Sequence, residues 1–274
     1  MTSAGYGARS AASARRRTVG SFISQTLAVA EMEARKLARD PAELVSRAVQ
    51  PVLWLIVFGQ VFTRTHAIPT GAMSYLEFMA PGVLAQGVLF TAIFYGIAVI
   101  WERDLGIVHK LLASPAPRAS LVLGKALAAG ARGLPQAVII FMLAALLGLR
   151  LEVTLRSLLG VVGLVVLGSA TFATFSLVVA CVVKTRERFM GIGQLLTMPL
   201  FFASNAIYPL DLMPSWLRAV ARANPLTYLV DGLRATMIQG GASRFGLGTD
   251  VAVTLLLLGV LVALAARLYP GLAR

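Results

Sequence analysis

The sequence predicts an all-α membrane protein: six transmembrane helices, an amphipathic interfacial helix before them, and short re-entrant outer helices ahead of the last span. Three observations lead there. The first is a set of six long uncharged runs, Ala48 to Thr63, Phe78 to Trp101, Gly133 to Leu149, Ser157 to Val183, Phe189 to Leu210 and Val251 to Ala266, each bounded by charge. A bilayer core of about 30 Å takes about 20 helical residues, which the longest runs supply outright. The two 16-residue runs carry Arg47 and Arg267 at their ends, whose stems lie along apolar surface while the guanidinium reaches the headgroups. The second observation is composition: 58% hydrophobic and 14% charged, against roughly 25% charged in a soluble domain. The third is where the basic residues lie. Six spans put both termini on one side, and placing them in the cytoplasm puts 18 of the 25 Lys and Arg inside and 7 outside, as the positive-inside rule requires. The net charge of +13 therefore reads as a topology signal and contact with anionic lipid, not as a nucleic-acid surface.

Taken in order, residues 1–20 are rich in Ala, Ser and Arg and read as a disordered basic N-terminus. Residues 21–41 read as an amphipathic interfacial helix. Phe22, Ile23, Leu27, Ala30, Ala34, Leu37 and Ala38 recur at helical spacing, with Gln25, Glu31, Arg35, Lys36 and Arg39 on other faces, until Asp40-Pro41 breaks the pattern. Residues 45–270 form the six-span domain. In its third span Lys125 and Arg132 precede the uncharged run. A charge at mid-membrane costs about 2.5–3.5 kcal/mol on insertion scales, so the embedded part starts near Arg132 and the earlier turns project into the interface. Arg132 as a substrate contact is the alternative. Gly160, Gly163, Gly168, Ser169 and Ala173 mark a close helix contact in the fourth span, read as intrachain packing rather than a dimer seam. Pro199, near the middle of the fifth span, is expected to kink it.

Catalytic chemistry is nearly absent. His66 and His109 fall on opposite sides of the membrane and Cys181 is alone, so neither a shared metal nor an intrachain disulfide follows. Gly124-Lys125 is followed by Ala126 and lacks the upstream glycine of a phosphate-binding loop. If ATP drives this protein, another subunit binds it. The competing function is an ion-coupled secondary transporter, disfavoured because no uncharged run holds an Asp or Glu.

Two loops carry the remaining information. The first reads Trp101-Glu102-Arg103-Asp104-Leu105-Gly106-Ile107-Val108-His109-Lys110-Leu111-Leu112-Ala113-Ser114-Pro115, with Gly124-Lys125 after it. The second runs from Phe201 through Asn205, Tyr208-Pro209 and Met213-Pro214-Ser215-Trp216 to Asn224-Pro225-Leu226-Thr227-Tyr228-Leu229-Val230-Asp231-Gly232-Leu233-Arg234. With the spacing of the six runs, these segments resemble the type-2 ABC transporter permeases, membrane subunits of drug, polyketide, lipid and polysaccharide exporters, and especially their daunorubicin-exporter-like branch. The resemblance covers about residue 22 to the C-terminus. Ile107 departs from it, since the family commonly has Thr there.

The resemblance implies a permease without its own ATPase that moves an amphipathic substrate outward. Its implied partners are two ABC ATPase subunits, which take the Mg-ATP, and a second permease chain as homodimer or heterodimer. It further implies a bacterial inner membrane with both termini cytoplasmic. The first loop becomes the coupling helix: Val108, Leu111 and Leu112 lie at helical spacing beside Glu102, Arg103, Asp104 and Lys110, and Gly106 permits the turn that detaches them. Their apolar face is expected in a groove of the ATPase. The second loop becomes the outer gate, with Tyr208, Pro209, Pro214, Trp216, Asn224, Pro225, Asp231 and Arg234 as its residues. Asn224 is placed to cap a helix that starts at Pro225. Trp216, Leu217 and Val220 form one short apolar stripe, and Leu226, Leu229, Leu233 and Met237 form another that Asp231 and Arg234 face away from. Both helices are expected to lie shallowly against the outer ends of the spans.

Overall fold

The computed structural model describes residues 49–65, 68–71, 73–113, 117–183 and 185–273, together with Ser24, Gln25, Ala28 and Glu31. The basic N-terminus and most of the expected interfacial helix lie outside the described residues, as does His66. The first helix, α1, covers 49–65 and contains a π-helical stretch, Trp54–Gly59. Trp54 stacks on Phe58 with ring centroids 4.5 Å apart, and Phe62 meets Tyr75 edge-on at 5.3 Å.

Helix α2 (Tyr75–Asp104) opens with a capping box in which Ser74 accepts the Glu77 N–H and Glu77 accepts the Ser74 N–H. After the short α3 (Ile107–Leu112), α4 runs unbroken through Arg118–Leu146, and α5 through Leu155–Val182 with Thr154 as its N-cap. Helix α6 follows as Arg186–Phe202. Two short helices, α7 (Ser215–Ala223) and α8 (Pro225–Met237), precede α9 (Leu247–Leu268).

Four helices are long and apolar enough to cross a membrane among the described residues: Tyr75–Asp104, Arg118–Leu146, Leu155–Val182 and Leu247–Gly271. They match the second, third, fourth and sixth expected spans. The first and fifth are represented by 17-residue helical segments, α1 and α6. Helix α6 continues past Pro199. The helix ends three residues later at Phe202, because the chain from Ser204 to Ala206 leaves helical geometry and is buried against the bundle. Such backbone is tolerated at membrane depth only where protein covers it. Here α2 does so: a Cβ at Gly82 would come within 2.4 Å of the Ala206 carbonyl oxygen.

The core lies where α2, α4, α5, α8 and α9 meet. The small residues of α5 serve contacts within the chain, as expected: Gly160 faces Thr236 and Gly168 faces Leu229, while Gly163 faces open space. The Ser176 hydroxyl donates to the Ile93 carbonyl at 2.5 Å and accepts the Gly96 N–H at 3.0 Å, locking α5 to α2. The loops sort to two ends. Residues 105–113, Thr185 ahead of α6 and the C-terminal turn Tyr269–Ala273 share the α3 end. Segments 68–71, 73–74, 147–154 and 203–246 share the α8 end, where Glu77 pairs with Arg150 at 2.8 Å and Leu151 forms an antiparallel bridge with Ile238.

Candidate coupling and gating ends

At the α3 end, Gly106 adopts φ 71°, a conformation that side chains with a Cβ rarely take, and this turns the chain out of α2. The helix that follows does not present its apolar face outward. Val108 is fully buried in the bundle's own core and Leu111 packs half-buried against it; the Leu112 side chain lies outside the description. A helix of six residues has one apolar side, and the bundle takes it. The surface left for a partner is Trp101, Leu105, His109 and Lys110, with Leu105 67% exposed.

Glu102 is likewise turned inward. It meets Lys125 of α4 at 2.5 Å, Lys125 is 1% exposed, and the Tyr95 hydroxyl stands 3.5 Å from the ammonium. The expected interfacial position of Lys125 is thus a buried ion pair joining α2 to α4. Arg132 lies about two turns further along, half-buried, with its guanidinium 5.1 Å from the centre of the Tyr95 ring. Asp104 accepts from Arg103 at 2.8 Å and from Arg186 at 2.6 Å. Arg186 also lies over the Trp101 ring at 3.8 Å, so the first turn of α6 is latched to the last turn of α2.

At the α8 end, Asn224 works in two directions. Its Oδ1 accepts the Leu226 N–H at 3.0 Å and caps α8, whose first residue is Pro225, as the sequence predicts. Its Nδ2 donates to the carbonyls of Leu200 at 2.7 Å and Ala203 at 3.0 Å, satisfying the frayed end of α6. Helix α8 is enclosed by α2, α5 and α9. Asp231 and Arg234 are as buried as Leu226, Leu229, Leu233 and Met237. The reason is visible in their partners. The Arg234 guanidinium sits over the Phe78 ring at 3.9 Å and donates to the Phe78 carbonyl and, at 2.8 Å, to that of Asn205. The Asp231 carboxylate accepts the main-chain N–H groups of Arg244 and Phe245.

Helix α7 is the peripheral piece. Pro214 precedes it, Trp216 is 67% and Val220 48% exposed, and Leu217 is half-buried. Tyr208 is half-buried, its hydroxyl donating to the Phe202 carbonyl, and Pro209 starts the turn Leu210–Leu212. Asp211 pairs with Arg244 at 2.7 Å, and those hydrogen bonds hold its carboxyl below the usual carboxylate range. Between these parts lies a cavity of about 470 Å³ lined by Phe78, Asn205, Asp211, Asp231, Arg234 and Arg244. A second, apolar cleft of about 500 Å³ opens between α5 and α9, with Phe172, Phe175, Leu256 and Val260 in its walls.

The sequence reading missed Asp250. It stands one residue before the last uncharged run, yet it is fully buried, and the Ser243 hydroxyl bridges it to Asp231. The single acid beside an apolar run was the available signal. No group of three or more His, Cys, Asp or Glu able to hold a metal occurs among the described residues. What the arrangement offers is an exposed short helix at one end and a capped, partly unwound helix junction at the other.

Comparison with known proteins agrees with this layout. The chain is 28% identical over 233 residues to a daunorubicin resistance ABC transporter permease, DrrB1, of Streptomyces coeruleorubidus, covering 84% of this chain and 80% of the relative. It is 30% identical over 215 residues to the ycf38 transport permease of Cyanophora paradoxa, covering 78% and 74%. With Nodulation protein J of Rhizobium leguminosarum bv. trifolii it shares 26% over 199 residues, covering 72% and 74%. The family model described as ABC-2 type transporter matches residues 24–238, and the chain belongs to that family as a membrane permease subunit.

Proposed function

We propose that the chain is the permease of an ATP-driven exporter that moves an amphipathic molecule out of a bacterial cell across the inner membrane. Two separate ATPase subunits bind Mg-ATP and dock at the α3 end, which faces the cytoplasm with both termini. A second permease chain completes the pathway. The observation that carries this reading is the short helix turned off α2 at Gly106 and packed by Val108 onto the bundle, with Leu105, His109 and Lys110 exposed, in a chain without a phosphate-binding loop. The docking residues then differ from those first expected. Glu102 and Val108 hold the helix to the permease, while Leu105, His109 and Lys110, with Arg103 and Leu111 beside them, meet the ATPase.

Movement of the docked helix reaches the far end through α6. Its first turn is latched to Asp104 and Trp101, and its last carbonyls are held by Asn224, which also starts α8. Displacing α6 therefore disturbs the cap of α8 and the segment that carries Tyr208, Pro209, Pro214 and Trp216. The daunorubicin-resistance name of one relative supports the outward direction and the amphipathic substrate.

The ion-coupled carrier has one observation in its favour, the buried pair Asp231 and Asp250. A single experiment separates the two. Inverted vesicles holding the permease with its co-expressed ATPase should accumulate a fluorescent amphiphile when given Mg-ATP, undiminished by ionophores. Accumulation that ionophores abolish and ATP does not drive would select the carrier. Leu105→Glu with Lys110→Glu should leave the permease in the membrane while the ATPase fails to co-purify.

A further inference from the structure

A hydroxyl group carries one hydrogen, and Ser243 is asked to serve two carboxylates with it. Its Oγ lies 2.9 Å from the Asp231 Oδ2 and 2.7 Å from the Asp250 Oδ2. Asp231 is 2% and Asp250 0% exposed, and no Lys or Arg pairs with either within 4 Å among the described residues. Were both carboxylates ionised, one of the two contacts would bring lone pair against lone pair, because the hydroxyl has a single hydrogen to give.

We propose that Asp231, Ser243 and Asp250 form a proton-binding site: Asp250 is a carboxylic acid that donates its proton to Ser243, and Ser243 donates its own to an ionised Asp231. The assignment within the pair follows from the partners. Asp231 Oδ2 accepts two further N–H groups, from Arg244 at 2.7 Å and Phe245 at 3.1 Å, which suit an anion. Asp250 Oδ1 is buried and accepts nothing. The first turn of α9 favours negative charge there, but Asp250 makes no capping bond to an N–H of that turn.

The charges facing the site come from each packed element. Helix α8 brings Asp231 itself and Arg234; the loop brings Arg244, whose side chain is engaged with Asp211 from the segment before α7. Helix α5 meets this region through Gly160, Leu164 and Gly168, and the outer half of α4 is uncharged. Arg234 and Arg244 act on the Asp231 charge, and neither takes the place of the proton at Asp250 once it leaves. Its loss sets two anions on one hydroxyl and separates the 242–246 loop from the start of α9, so that end of the protein answers to pH.

The inference goes beyond the exporter reading and concerns the permease alone, so it is tested without transport. Infrared spectra of the purified permease at pH 7 should show a carboxylic-acid C=O stretch that shifts on deuteration and is missing from Asp250→Asn, whose amide takes over the donation to Ser243. Separately, a cysteine at Ala242 in a Cys181→Ala background is labelled at rising pH with and without Asp250→Asn; the ratio of the two rates cancels ionisation of the thiol itself. That ratio should rise by about tenfold per pH unit as the proton is lost. No acid band in the wild-type protein, or a ratio that stays flat with pH, would overturn the proposal. Ser243→Ala, which keeps both acids, should abolish the pH response of the loop; retention of that response would also overturn it.

Discussion

Helices α5 and α6 follow each other in the chain and cross the bundle in opposite directions, yet the molecule treats them differently. Helix α5 is enclosed by α2, α4, α8 and α9, and its small residues admit those neighbours closely. Helix α6 rests mainly on α2; only Phe189, Gly193, Thr197 and Phe201 are buried, while Met190, Leu195 and Phe202 stay exposed. Its connections are concentrated at its tips, Arg186 at one and the carbonyls held by Asn224 at the other. One helix is built to stay and the other to transmit. Changes around α5 should therefore cost stability, and changes at the tips of α6 should cost transport first.

The largest effect is expected in the fixed part. Lys125→Ala removes the buried ion pair with Glu102 and should destabilise the permease by about 3–5 kcal/mol, read as a lower melting temperature and poor recovery in detergent. Lys125→Met with Glu102→Leu should restore most of that loss. Next, Gly168→Val drives a side chain into Leu229, less than 3 Å away, and overpacking of this kind costs about 1–3 kcal/mol. Gly163→Val on the same helix meets open space and should melt as the parent does. Equal effects at the two glycines would erase the contrast on which the comparison rests.

At the tips of α6 the stability changes shrink. Asn224→Ala removes a cap worth about 0.5–2 kcal/mol and frees two carbonyls of α6, so export should fall while ATPase co-purification holds. The smallest change in melting belongs to Arg186→Asp. Its pair with Asp104 is about one third exposed and contributes about 0–1 kcal/mol. Transport should nevertheless drop, and Asp104→Arg in the same chain should recover part of it. Loss of thermal stability without any change in transport would reverse the roles given to the two helices.

Local chemistry was the legible part of this molecule. The cap at Asn224-Pro225, the turn at Gly106 and the membrane-length runs each depend on neighbours a few residues away, so the chain states them directly. What α3 does with its apolar side was not legible, because a two-faced helix of six residues fits an ATPase groove and its own bundle equally well until the bundle is built. Glu102 and Lys125 are separated by 23 residues and a helical turn, and only tertiary packing reveals that they meet. Asp250 was hidden by position: its burial depends on Ser243 and on Asp231 of another helix.

Helix α4 has a mechanical consequence of its own. Its 29 residues continue through Pro135 without interruption, which makes a rod about 44 Å long, some 14 Å more than a bilayer core of about 30 Å. The excess stands beside α3, with the Lys125 to Glu102 pair close to where the rod enters the bundle. That geometry is a lever with a pivot. A tilt of about 5° about that pair would move the opposite tip, about 32 Å away, by roughly 3 Å, the scale of one hydrogen bond made or broken at the Leu147 to Leu151 turn. On the proposed coupling, small strokes at one face of the membrane would become displacements of chemical size at the other.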